Sequence, residues 1–148
     1  MIHYRRMKLG DLDPIYRDPE MRPLITTSSG ANKFAVVIEE DDRIIGGAAG
    51  FVAEGAAYME NVIVKQEVAQ RILYMDGLIR SVIHFLELDG VKYLFAEGDY
   101  KLYSSIGFNK LHSDGSFIKE HNEAIEILYN KEYTYWLRLE DFFKQKEN

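Results

Sequence analysis

Asn61–Glu87 reads NVIVKQEVAQRILYMDGLIRSVIHFLE, and the architecture turns on how this stretch folds. Val62, Ile63 and Val64 are β-branched and read as a strand. Ile72, Met75, Ile79, Val82 and Leu86 then recur at steps of three and four, the apolar stripe of a helix starting near Gln70 or Arg71. Asp76, Arg80, His84 and Glu87 fall mostly off that stripe. Gly90 stands where a helix C-terminus favours glycine. VKYLFAEG, Val91–Gly98, reads as a second strand. Strand, helix and strand in this order predict a right-handed parallel crossover. The turn before the helix exposes backbone N–H groups, natural ground for a phosphate. Yet Gly77 is the only glycine from Lys65 to Asp89.

Upstream, FAVVIEE (Phe34–Glu40) reads as a strand, Asp41-Asp42 as a turn and RIIGGAAGFVAEG as the return strand. Gly46, Gly47, Ala48, Ala49 and Gly50 leave little side chain there, room for a close neighbour or a bulge. The chain begins with a strand and a turn at Gly10. A short helix follows, capped by Asp11 or Asp13, with Pro14 early in it. Pro19, Pro23 and Gly30 break the next segment into a short helix and loop. Downstream, DYKLYSSIGFNK predicts a short helix ending at Gly107. EAIEILYN, YTYWLRL and EDFFKQKEN are strand or helix pieces. No repeat or linker divides residues 1–148, so the expectation is one α/β (mixed α+β) domain with a mostly antiparallel first half.

Composition excludes several functions. With 148 residues, 47% hydrophobic and 28% charged, the chain is of ordinary globular type. It has no cysteine, hence no disulfide, thiolate metal site or acyl-cysteine intermediate. The net charge is −6 and there is no basic run, which argues against nucleic acid. No apolar run approaches the ~18 residues of a membrane helix. MIHYRRMKLG lacks the apolar core of a signal peptide, so a cytoplasmic location is expected. His3, His84, His112 and His121 are scattered without ligand spacing, and no metal site is expected. GGAAG lies within a strand with no helix close behind, so it is no nucleotide fingerprint.

Three segments in order resemble the GCN5-related N-acetyltransferase (GNAT) superfamily. FAVVIEEDDRIIGGAAGF is similar to its second and third strands. NVIVKQEVAQRILYMDGLIRSVIHFLE is similar to its fourth strand, cofactor loop and third helix. KYLFAEGDYKLYSSIGF is similar to its fifth strand and fourth helix. In that last segment Tyr103, Gly107 and Phe108 keep their places and Leu102 replaces an aromatic residue. The resemblance covers about residues 1–110 and implies a GNAT-like fold, a central mixed, mostly antiparallel sheet flanked by helices.

The resemblance further implies an acyl-coenzyme A-dependent N-acyltransferase, with acetyl-CoA in a cleft where the fourth and fifth strands splay. Val62, Ile63 and Val64 would carry the pantetheine arm. The pyrophosphate loop, Arg or Gln, two residues, Gly, one residue, Gly or Ala, falls on Ala69, Gln70, Arg71, Ile72, Leu73 and Tyr74. Ile72 and Tyr74 stand where the family has small residues, so weakened binding is expected, with Arg71 adding one charge-assisted bond. Tyr103 matches the family's general acid to the leaving thiolate; as one of ten tyrosines it also reads as packing. Tyr100 is the fallback.

Tyr58, Glu60, Val62 and Val64 share one face of a regular strand. Glu60 there is a candidate base for the amine, or a solvated strand carboxylate, and Glu97 is a second candidate. The acceptor implied is a small-molecule or peptide amine. The aromatic tail reads as core strand and terminal helix, pocket lining or a homodimer contact. The competing function is a non-catalytic ligand-sensing or interaction protein that keeps the fold and has weakened or lost CoA binding.

Overall fold

The computed structural model describes residues 1–26, 32–98, 101–111 and 133–146. β1 (Ile2–Arg6) leads through a 3-10 turn (Leu9–Asp11) to α1 (Leu12–Arg17) and α2 (Pro23–Thr26). β2 (Lys33–Glu40), β3 (Arg43–Ala53) and β4 (Ala56–Val64) follow as a meander. Then come α3 (Arg71–Leu88), β5 (Tyr93–Glu97), α4 (Lys101–Ile106), β6 (Asn109–Lys110), β7 (Tyr133–Arg138) and α5 (Leu139–Lys146). EAIEILYN, expected as a strand or helix piece, and the fallback Tyr100 lie outside the described residues.

All seven strands form one sheet in the order β1-β2-β3-β4-β5-β7-β6. Among the described strands only β4 and β5 pair in parallel, as the helix between them requires. The tight hairpins suit the sheet's twist. Asp41 and Asp42 both take positive φ, as do Glu54 and Gly55, the backbone of two-residue hairpin turns. α3 ends as expected, with Gly90 at φ +81°. Its N–H reaches the Glu87 carbonyl, and the Val91 N–H reaches that of Leu86.

The two sheet faces carry different layers. One face packs Val36, Ile38, Ala48, Ala57, Met59, Leu94 and Ala96 under α3, α4 and α5. On the other, α1 and α2 bring Ile15, Met21 and Leu24 onto Val37 and Ala49. Beside them Phe51, Tyr58, Phe95 and Tyr133 form an aromatic cluster. The small residues of β3 make these contacts feasible: a Cβ at Gly47 would run into the Leu24 side chain.

Three local expectations need correction. Ile72 is in phase with Ile79 yet 66% exposed, because the first turn of α3 lies beyond the core; the buried stripe is Leu78, Ile79, Val82, Ile83 and Leu86. Asp11 holds the N-cap position of α1 but its side chain makes no capping bond to that helix. Its carboxylate accepts two bonds from Arg5 and one from the Lys8 N–H. Finally, Tyr58, Glu60, Val62 and Val64 do not share a face. Met59 pairs with Gly50 and Asn61 with Ala49, leaving Glu60 as an extra residue. This bulge reverses the alternation: Tyr58 belongs to the aromatic cluster, while Val62 and Val64 face the helical layer.

Candidate active site at the strand fork

The bulge builds the site. β4 and β5 pair from Ala56↔Tyr93 to Met59↔Ala96 and no further. From Asn61 to Val64, β4 keeps its β3 partner but has no β5 partner. The two parallel strands therefore fork where the extra residue enters. Gly50 permits this, since a Cβ there would collide with the carbonyl oxygen of Tyr58. Glu60 and Glu97 are the first residues past the fork, one on each strand.

β7 closes the other side of β5. Ala96 pairs with Tyr135 and Glu97 with Tyr133, so Thr134 is a second extra residue. Tyr133 thereby turns into the aromatic cluster, while Tyr135 joins the opposite core. Within the cluster Tyr58 stacks on Phe51 at 5.0 Å and on Phe95 at 5.1 Å, and Tyr133 tilts against Tyr58 at 5.3 Å. Tyr58 is 0% exposed and Tyr133 5% exposed. Neither hydroxyl has a hydrogen-bond partner. Burial pushes both phenols well above their usual range; the charges of Glu60 and Glu97 add to this at Tyr133, and Glu54 at Tyr58. Tyr133 was not singled out in the sequence, because its tail lies outside the matched segments.

Tyr103 sits on α4, behind the fork. It is 1% exposed, with its ring 5.1 Å from Phe108 and 5.4 Å from Tyr135. It belongs to the main core under the helical layer.

The turn from β4 into α3 carries the anion ground. Gln70 takes a left-handed conformation, φ 58° and ψ 42°, and no side chain caps the helix. No acidic residue stands in the first turn, so the helix dipole is open to an anion. The surroundings are less welcoming. Arg71 donates from Nε and Nη2 to the Val64 carbonyl at 3.2 and 3.1 Å. Lys65 Nζ pairs with Asp18, and the Gln66 N–H already donates to the Glu20 carboxylate at 2.9 Å. Ile72 and Leu73, 63% exposed, cover the first turn, and Tyr74 leans on the core. A pyrophosphate fits the backbone donors here, with its approach narrowed by these side chains and two of its nearest cations engaged elsewhere.

A cavity of about 570 Å³ lies under α1, lined among others by Arg5, Asp11, Asp18, Glu39 and Lys65. Its charges satisfy one another, Arg5 with Asp11 and Glu39, Lys65 with Asp18. It is apart from the fork and brings together none of the expected site residues. Among the described residues, no group of side chains is arranged to hold a metal, and no helix is long and apolar enough to cross a membrane.

No family model matches the sequence, and no curated protein matches it. Solved structures do. The ribosomal-protein-S18-alanine N-acetyltransferase of Escherichia coli superposes with TM-score 0.62 at 21% identity, over 76% of this chain and 80% of that one. A GNAT family acetyltransferase from Brucella melitensis, solved with acetyl-CoA, gives 0.58 at 22% identity, over 74% and 83%. A mutant form of the spermidine/spermine N-acetyltransferase of Vibrio cholerae gives 0.65 at 10% identity, over 98% and 99%.

Proposed function

We propose that this chain, which has the GNAT acetyltransferase fold, is an acyl-CoA-dependent N-acyltransferase that moves an acetyl group from acetyl-CoA to a primary amine. One observation carries this reading: the fork after Met59 and Ala96, opened by the bulge at Glu60, leads to an uncapped helix N-terminus. Such a fork offers an extended acyl carrier an edge of β4 that β5 has left, and offers its phosphates the dipole of α3. Acetyl-CoA would supply an activated thioester. In the proposal its pantetheine arm lies along Val62, Ile63 and Val64. Its pyrophosphate meets the backbone of Gln70, Arg71, Ile72, Leu73 and Tyr74.

Glu60 would take the proton from the acceptor amine, directly or through water. Backbone N–H groups at the fork would polarise the acyl carbonyl. For Tyr103 the structure gives a packing role; its service as the acid toward the leaving thiolate is a proposal. A phenol near pKa ~10 serves a thiolate near ~8.5 only when held close, and α4 would have to present it from within the core.

The test is amine-dependent release of the coenzyme A thiol. Glu60→Gln is expected to slow it by ~10²-fold or more, and Tyr103→Phe by ~10²–10⁴-fold with little change in melting temperature. Tyr103→Phe at the parent rate leaves the tyrosine a packing residue. Equal rates for Glu60→Gln remove it as the base.

A second reading has its own support. Ile72, Leu73 and Tyr74 at the helix start, and the engagement of Arg71 by Val64, favour a relative whose coenzyme A affinity is weakened. If no amine is acetylated, this fold serves ligand sensing or interaction.

A further inference from the structure

We propose that the charged cavity under α1 is a binding site for a free α-amino acid with an apolar side chain, separate from the fork. Its residues are not those of the acyltransferase reading, and the site stands or falls without that reading.

The register of the sheet sets the frame. At about 570 Å³ the cavity falls within the range of small-molecule sites. It lies over the ends of β2, β3 and β4, on the face that α1 covers. Glu39 of β2 stands opposite Ile44 of β3. Lys65, just past β4, donates its N–H to the Ile45 carbonyl on the other edge of β3. Glu39 and Lys65 therefore flank one strand, two strand spacings or about 10 Å apart at the backbone. Ile44 lies between them and packs with Ile15 and Met21, which α1 and the loop after it bring over the sheet. These three give the cavity an apolar floor and roof between two charged walls.

Each wall keeps bonding capacity after its internal pairs are made. Glu39 Oε2 accepts from Arg5 Nε at 2.6 Å, and among the described residues its Oε1 accepts no bond. Lys65 has three N–H donors. Asp18 takes one, and Glu67 at 3.9 Å lies beyond hydrogen-bond distance. Asp42, exposed on the β2–β3 turn, also lines the cavity and has no hydrogen bond or ion pair among the described residues. Lining cations and carboxylates are equal in number, so no net charge draws an anion or a cation. A neutral apolar guest would strip water from these charges and return nothing. A zwitterion answers both walls, its ammonium on Glu39 and Asp42 and its carboxylate on Lys65. With a bond of ~2.8 Å at each end, an α-amino acid spans about 8 Å, which suits two side chains leaning inward on this frame. Its own side chain then lies against Ile44, Ile15 and Met21.

Calorimetry on the full chain tests this with L-leucine and its two halves. These are 3-methylbutylamine, which lacks the carboxylate, and 4-methylpentanoate, which lacks the amine. Leucine is expected to bind at millimolar concentration or below, and each half about ten-fold more weakly or worse. Glu39→Gln removes a wall charge while Arg5 keeps Asp11. Asp42→Asn keeps a residue type that tolerates the positive φ there. Each substitution is expected to weaken leucine binding about ten-fold. Backbone amide NMR should show leucine-induced shifts at Ile44 and Lys65. A parent that does not bind leucine overturns the site, as does a half that binds as tightly as leucine. Parent-like affinity in folded Glu39→Gln overturns it too; should that variant not fold, parent-like affinity in Asp42→Asn does so. Leucine-induced shifts confined to residues 60–64 would place the amino acid at the fork and equally overturn the site.

Discussion

At the scale of single residues, the buried polar groups divide into two kinds. Asp11 is fully engaged: Arg5 approaches it at 2.7 and 2.9 Å, the Lys8 N–H at 2.8 Å, and Arg5 also reaches Glu39 at 2.6 Å. The Arg5 guanidinium holds the Asp11 carboxyl below its usual range. Its folded pKa therefore lies under its unfolded one. The stabilisation is present above about pH 4, the unfolded carboxyl value, and is lost as the pH falls through the lowered folded value. Asp11→Ala should cost about 3 kcal/mol, because it removes a buried carboxylate and leaves the half-buried Arg5 with one partner fewer. Urea unfolding at neutral pH measures this, and a cost under about 1 kcal/mol would mean that the pair is worth no more than a surface bridge. Tyr58 and Tyr133 are the other kind, with hydroxyls that the fold does not use. The first kind ties β1 and β2 to the 3-10 turn before α1. The second is found where substrate is expected.

Elements were largely legible in the sequence, and the exceptions have two causes, unseen bulges and an unseen edge of the core. The hairpin of β2 and β3, the strand β4, the helix α3 and the strand β5 followed from periodicity and turn residues. Gly90 and the Asp41-Asp42 turn behaved as their chemistry dictates. The bulges at Glu60 and Thr134 did not show. One extra residue shifts the pairing without altering composition, and both strands stay apolar on either side. Glu60 was thus found as a residue but placed on a strand face that does not exist, and Tyr133 was passed over. Exposure of Ile72 was equally hidden, since helical phase says nothing of where the core ends. The start of α3 carries its own prediction. Ile72→Gly with Tyr74→Gly should open the first turn and tighten acetyl-CoA binding, measured by calorimetry. It should also lower stability by about 2–4 kcal/mol, from two helical glycines and the lost packing of Tyr74. A folded double variant that binds no better than the parent would show that these side chains do not obstruct.

At the scale of the whole molecule, the described strands form a seven-stranded sheet, and among them the single parallel pair, β4 and β5, is where the fork opens. Helical layers cover one face, and α1, α2 and the aromatic cluster occupy the other. In the proposed function the phosphates lie at the start of α3 and Glu60 serves the acceptor amine. The central claim is that acyl-CoA occupies this fork rather than the charged cavity under α1. Backbone amide NMR of the labelled protein, titrated with acetyl-CoA, tests it most directly. Saturable shifts confined to Val62, Ile63, Val64 and the run from Gln70 to Tyr74 are the predicted result. No shifts at saturating ligand, or shifts at Arg5, Asp11 and Lys65 with the fork silent, would contradict it.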